Sequence, residues 1–267
     1  MRNKFLYAGM IIASVWFVGC NSDSAVQEEE HEVHALHEVH FSYDGETGPD
    51  YWGSLKEEWS TCNNGLEFTE VVEGELHQSP VDFDSAMAAA PAYTLDYDKE
   101  VQFKMSNNGH TIIFNVEENS PKVHVTINGK DYELKQFHFH SASEHTQHEV
   151  HAAMEGHFVN VAEDGSIAVI GLFIDNVAGS ENEALGSAFG FAIPEEGEEN
   201  PNVITLNPSE MLPGGNVYSY SGSLTTPPCT EEVAWNVYET HIGLHEDKVK
   251  AFQEHYDHNF RPLTGLY

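Results

Sequence analysis

The sequence predicts a mainly β fold with a few short helices. Gly and Pro recur at short intervals between runs rich in Val, Ile, Phe and Tyr, the texture of strands joined by turns. Helical stripes are scarce, and the clearest lies late, over residues 246–255, where Val249 and Phe252 are spaced to dock one face. A chain of 267 residues with 40% apolar and 11% aromatic content can bury a full-sized core.

At the amino terminus, Arg2 and Lys4 lead into an uninterrupted apolar and small-residue stretch over residues 5–18. That is too short for a comfortable membrane span, and with its positive lead it reads as a signal peptide over residues 1–19. It ends in Phe17-Val18-Gly19-Cys20, which resembles the lipobox where bacterial lipoproteins are cut before a lipidated cysteine. Cys20 is therefore expected to carry a lipid anchor and to make the membrane contact. The expected location is periplasmic or cell-surface.

Residues 20–40 read as the lipidated cysteine followed by an acidic, His-rich tether. His31, His34, His37 and His40 recur every three residues, but Ala35 breaks the metalloprotease pattern His-Glu-x-x-His. The tether is either a weak metal-capture device or a solvated linker. Residues 41–267 are expected to form one domain, with an acidic loop over residues 194–201 staying on the surface.

Charge narrows the partners. With 44 acidic against 11 basic residues and a net charge of -33, nucleic acid is excluded as a partner. Of the three cysteines, lipidation of Cys20 leaves Cys62 and Cys229 to form one disulfide in an oxidising compartment, or to stay reduced and buried.

The most informative segment is Leu134-Lys135-Gln136-Phe137-His138-Phe139-His140. In a strand its alternation puts Gln136, His138 and His140 on one face and Phe137 and Phe139 on the other. Two imidazoles on one strand face can reach a single ion. A neighbouring antiparallel strand over residues 152–159 offers a third in His157, with Glu155 on the same face. Three neutral imidazoles and an open fourth position are what a catalytic zinc requires. Gln136 and Glu155 stand ready as acceptors that fix ligand tautomers. The competing reading is a His-rich strand whose rings make ordinary hydrogen bonds.

Several motifs in order resemble the alpha class of carbonic anhydrases: Tyr43-Asp44-Gly45, Gly48-Pro49, Trp52, Gln78-Ser79-Pro80, Asn107-Asn108-Gly109-His110, Ser143-Glu144-His145-Thr146, Ser223-Leu224-Thr225-Thr226-Pro227-Pro228 and Asn259-Phe260-Arg261-Pro262. The resemblance spans residues 41–262. It implies a single domain around a large, twisted, mostly antiparallel central sheet, one Zn2+ per domain, and reversible hydration of carbon dioxide (CO2) to bicarbonate and a proton.

It also implies roles. His138, His140 and His157 would hold zinc, with Gln136, Glu155 and Asn259 supporting them. Zinc-activated water would attack CO2, oriented by Thr225, whose hydroxyl donates to Glu144. His110 would shuttle the proton, with Tyr43 and Asn108 ordering water. Val159, Val169, Leu224, Thr226, Val233 and Trp235 would line the substrate pocket. Cys62 and Cys229 match a pair bridged in many exported members, and Pro80 and Pro228 are candidates for cis peptide bonds. Bacterial members often dimerise, so a homodimer is an assembly to consider.

The chain also departs from the family pattern. Phe41 stands where many members have Trp, Ile113 where a cleft Gln or Asn is common, and Asn160 where many have His. The alternatives from other classes are a catalytically silent binding module and a zinc carrier. The first would need a lost zinc histidine, and none is lost; the second would need several exchangeable metals.

Overall fold

The β-rich expectation is met by fourteen strands and three α-helices among the described residues, which in this computed structural model are 39–66, 69–70 and 77–266. The expected signal segment, Cys20, His31, His34 and His37 lie outside them. The strands begin with β1 (Thr69–Glu70), β2 (Val81–Phe83), β3 (Tyr93–Asp96), β4 (Val101–Asn107) and β5 (Ile112–Val116). Next come β6 (His124–Ile127), β7 (Lys130–His140), β8 (Thr146–Gln147), β9 (Met154–Val161) and β10 (Ile167–Val177). The last are β11 (Glu199–Leu206), β12 (Val217–Ser223), β13 (Glu231–His245) and β14 (Gly265–Leu266). The helices are α1 (Trp52–Leu55), α2 (Glu183–Ala188) and α3 (Glu246–Gln253). The last is the stripe seen in the sequence, with Val249 and Phe252 buried.

Ten strands make one sheet in the order β11-β4-β5-β7-β9-β10-β13-β12, with β6 added to β7 and β3 to β6. Every pair in it is antiparallel except β10 with β13, so the sheet is mixed but mostly antiparallel. The short strands β1, β14, β2 and β8 form a small parallel sheet.

Both faces of the central strands are buried, and they differ in chemistry. One carries the main core, in which Phe137 stacks on Phe114 at 4.5 Å and meets Phe103 at 4.9 Å and Phe158 at 5.1 Å between ring centroids. The other carries the histidines and a second apolar cluster built on Val169, Val233, Trp235 and Val237.

A bulge in β7 makes this division possible. Pairing with β9 shifts between Leu134 and Gln136, which leaves Lys135 as the extra residue. Before the bulge Tyr132 and Leu134 point into the main core; after it Phe137 and Phe139 do. The bulge thus changes which parity faces the core, and Gln136, His138 and His140 fall on the opposite face.

The acidic loop before β11 is at the surface, yet tied down. Gly197 N donates to Asn107 O at 2.8 Å, Asn107 N to Glu198 O at 3.0 Å, and Asn107 Nδ2 to Pro194 O at 2.9 Å. The Ser79–Pro80 and Pro227–Pro228 peptides are cis, as anticipated, and Ser141–Ala142 is a third cis bond that no proline announces. Cys62 and Cys229 form a disulfide packed with Trp52.

Because Phe137 is surrounded by four other phenylalanine rings, Phe137→Ala should destabilise the fold by about 3–5 kcal/mol. Urea unfolding measures this; a loss under about 1 kcal/mol would mean that the aromatic layer does not hold the β7–β9 register.

Candidate metal centre

Register brings the three imidazoles together. His138 in β7 lies directly across from His157 in β9, and His140 follows two residues after His138 on the same face. Their ring centroids are 4.7–5.2 Å apart. One nitrogen from each lies within 4.8 Å of the others, close enough to share one ion.

The second nitrogen of each ring is committed. His138 Nδ1 donates to Gln136 Oε1 at 2.9 Å, His140 Nδ1 to the Asn259 carbonyl at 2.6 Å, and His157 Nε2 to Glu155 Oε1 at 2.9 Å. All three acceptors are oxygens, so the protons sit on those nitrogens. The remaining lone pairs, on His138 Nε2, His140 Nε2 and His157 Nδ1, are the ones available to a metal. Burial pushes the His138 imidazole well below its ordinary value, with His140 and His157 adding to it, and burial likewise lowers His140. His138 and His140 are thus held neutral, the form that ligates.

Glu155 is the hub behind them. Burial opposes its ionisation, but His145 and His157 outweigh that and hold its carboxyl well below the usual range. Its Oε1 accepts from His145 Nδ1 at 2.7 Å as well as from His157. Its Oε2 accepts the backbone N–H of Glu144 and of His145, each at 2.8 Å. His145 Nε2 in turn meets Tyr220 Oη at 2.6 Å, and Tyr220 meets Ser79 Oγ at 2.6 Å.

Among the described residues, five buried side-chain atoms lack a hydrogen-bond partner, and three of them belong here: His140 Nε2, Glu144 Oε2 and Tyr43 Oη. Leaving each buried and unpaired costs about 1–3 kcal/mol. A cation held by the three rings would satisfy His140 Nε2, so the donor set fits a metal.

The other anticipated site residues fall around this centre. Glu144 is fully buried, and its Oε1 accepts the Arg261 backbone N–H at 2.8 Å. The anticipated Thr225–Glu144 hydrogen bond is not formed. Glu144 Oε2 instead leans toward the rings, 3.5 Å from His140 Nε2 and 4.0 Å from His157 Nδ1. Thr225 is buried in the loop after β12, and Thr226 is half-buried beside it. Val169, Val233 and Trp235 form one buried cluster, with Val159 and Leu224 packed against it. The Trp235 ring meets His157 edge-on at 4.9 Å.

His110 is partly exposed in the turn after β4 and stacks on Phe41 at 3.8 Å. Asn108 Oδ1 accepts the N–H of His110 and of Thr111, at 3.0 and 2.8 Å, and builds that turn. Tyr43 Oη is buried, and burial, then the Glu144 charge, keeps the phenol protonated. Ile113 lies directly across from His138. Asn160 faces away from the centre, donating to Phe158 O and accepting from Tyr97.

His145, Tyr220, Ser79 and Arg261 were not singled out from the sequence. Ser79, His145 and Arg261 lie inside the motifs and Tyr220 in none, and their partners lie far along the chain, with His145 and Tyr220 75 residues apart. The buried Arg261 guanidinium donates to Gln78 Oε1, Ser79 O and the Cys62 carbonyl. It ties the chain end to the disulfide segment.

A family model for eukaryotic-type carbonic anhydrase matches residues 47–264. The chain belongs to the carbonic anhydrase family. The chain is 35% identical over 234 residues to a carbonic anhydrase of Klebsiella pneumoniae, covering 85% of this chain and 89% of that one. It is 32% identical over 262 residues to a carbonic anhydrase of Neisseria gonorrhoeae, covering 96% and 93%. The solved alpha-carbonic anhydrase of Thermovibrio ammonificans, in complex with sulfanilamide, is 34% identical with a TM-score of 0.73, covering 85% of this chain and 95% of that one. Membership makes the protein an enzyme of CO2 hydration in a family that depends on zinc.

Outer partners of ligating histidines typically change metal affinity by about 10–100-fold. Glu155→Gln should weaken divalent-metal binding on that scale, read by competition against a coloured chelator. Unchanged affinity would show that Glu155 serves the fold alone.

Proposed function

We propose that this protein hydrates CO2 with zinc held by His138, His140 and His157. The observation that carries this reading is the convergence of three ring lone pairs whose opposite N–H groups are each spent on an oxygen. When bound, zinc is a Lewis acid that lowers the pKa of coordinated water to about 7, the established value in carbonic anhydrases.

The chain's own residues supply orientation, a dry wall and a proton exit. Arg261 N–H holds one oxygen of Glu144, and Oε2, which has no hydrogen-bond partner in this structure, is the oxygen that would accept the Thr225 hydroxyl. Thr225 then turns the lone pair of the attacking oxygen toward carbon. The backbone N–H of Thr225 holds a substrate or bicarbonate oxygen. Val159, Val169, Leu224, Val233 and Trp235 give CO2 an apolar surface, and Thr226 lines the same region. Ile113, across from His138, extends the apolar side where a polar residue would offer a hydrogen bond.

His110 takes the proton toward solvent. Burial lowers its imidazole below the ordinary value, His40 adds to the shift and Glu196 opposes it. It is therefore largely neutral at pH 7 and able to accept.

Export and lipidation at Cys20 belong to the same reading. The Cys62–Cys229 disulfide supports export, because such bonds persist in oxidising compartments.

Stopped-flow hydration of CO2 should vanish when zinc is stripped and return with stoichiometric zinc. Absence of activity in a folded, zinc-loaded sample would sink the proposal. Mass spectrometry of the mature protein should find a lipid on Cys20, and an unmodified Cys20 would remove the anchor.

A further inference from the structure

We propose that Tyr256 is a positioning residue for the proton exit: from the carboxy-terminal tail, its hydroxyl fixes the turn that carries His110. The inference rests on His110 being the shuttle.

The hydroxyl is held by a stiff frame. Tyr256 closes the turn that follows α3, its N–H donating to Phe252 O at 2.9 Å. Its ring packs against the buried Phe252 ring, 5.9 Å between centroids, and so joins the edge of the main core. Burial, then the Glu196 charge, raises the phenol above its ordinary value. The group therefore stays protonated at neutral pH and acts as a donor.

Its acceptor is Asn107 Oδ1. Asn107 is buried at the end of β4, and its amide has one orientation, because Nδ2 donates to Pro194 O at 2.9 Å. Oδ1 is thereby aimed at the turn, where it also accepts the Gly109 N–H at 3.0 Å. That bond holds Gly109 in the left-handed region, at φ +83°, immediately before His110.

The far side of the turn is fixed from the same tail. Asn259 Nδ2 donates to the His110 carbonyl at 3.0 Å, while Asn108 Oδ1 accepts the His110 N–H at 3.0 Å. Both main-chain polar groups of His110 are thus engaged, and the direction in which its side chain leaves the backbone follows the conformation of Gly109. Without the Tyr256 hydroxyl, Asn107 Oδ1 keeps one donor of two and holds Gly109 less firmly. The imidazole then spends a smaller share of its time within reach of the proton it must accept. The ligand set is served separately, since His140 leans on the Asn259 carbonyl. Proton release follows bicarbonate departure, so a slower exit lowers kcat and leaves kcat/KM unchanged.

The test is stopped-flow hydration by the full-length zinc enzyme in weak buffer, comparing the unmodified protein with Tyr256→Phe, His110→Ala and the double variant. Tyr256→Phe deletes one oxygen and leaves the ring on Phe252. It should lower kcat on the order of threefold, with kcat/KM unchanged and the rate restored by added imidazole. It should add nothing in the His110→Ala background. An unaffected Tyr256→Phe beside a slow His110→Ala would overturn this inference while the shuttle stands. A fall shared by kcat/KM, or one that imidazole does not restore, would place the effect at the metal or the substrate and overturn it as well. So would a further fall in the His110→Ala background. An unaffected His110→Ala would remove the shuttle, and this role of Tyr256 with it.

Discussion

The structure hangs on one cross-strand pair, His138 against His157. Both strands are buried on both sides, so a slip of one residue would carry the imidazoles into the aromatic layer and the phenylalanines onto the metal face. The cost of burying unpaired ring nitrogens among Phe103, Phe114 and Phe158 is what forbids the slip. The bulge at Lys135 lets one strand serve two parities, with Tyr132 and Leu134 in the core before it and the ligands on the far face after it.

Around that pair, a single carboxylate joins the ligand set to the substrate loop. Glu155 accepts four N–H groups, from two rings and two successive backbone amides. Such an anion survives full burial only because every lone pair finds a donor. Through His145 and Tyr220 it reaches Ser79. Ser79 exchanges hydrogen bonds with Ser223, its N–H donating to Ser223 Oγ at 2.9 Å and its Oγ accepting from Ser223 N at 3.0 Å. Thr225 follows two residues later, so the strand bearing one ligand and the loop bearing the orienting hydroxyl answer to the same network.

Much of this was legible in the sequence, and the reasons differ by residue. Period-two alternation exposed Gln136, His138 and His140, because a strand's geometry converts spacing directly into facing. The same rule placed Glu155 behind His157. Helical spacing found α3. The family resemblance, and not spacing, drew attention to Thr225, Glu144 and His110. What stayed hidden depends on contacts between distant segments. The bulge needs the partner strand, the parallel joining of β10 to β13 needs the topology, and the Tyr220–His145 contact links segments that no local pattern relates. Asn108 shows a different limit, since an Asn in a turn can spend its side-chain oxygen on its own backbone, and only coordinates show that it has done so.

The disulfide between Cys62 and Cys229 spans 167 positions of sequence. The covalent ring it closes holds all three imidazoles, together with His110, Glu144 and Thr225. Asn259 and Arg261 finish the site from outside it, as part of the tail. A single peptide-bond cut anywhere within the ring therefore leaves one covalent molecule with its ligands still tethered. A cut between residues 229 and 259 leaves the tail with no covalent link to the ring, and with it the carbonyl that steadies His140 and the amide that steadies Glu144. Resistance to nicking is thus unevenly distributed, and the vulnerable stretch is the one that carries no ligand at all.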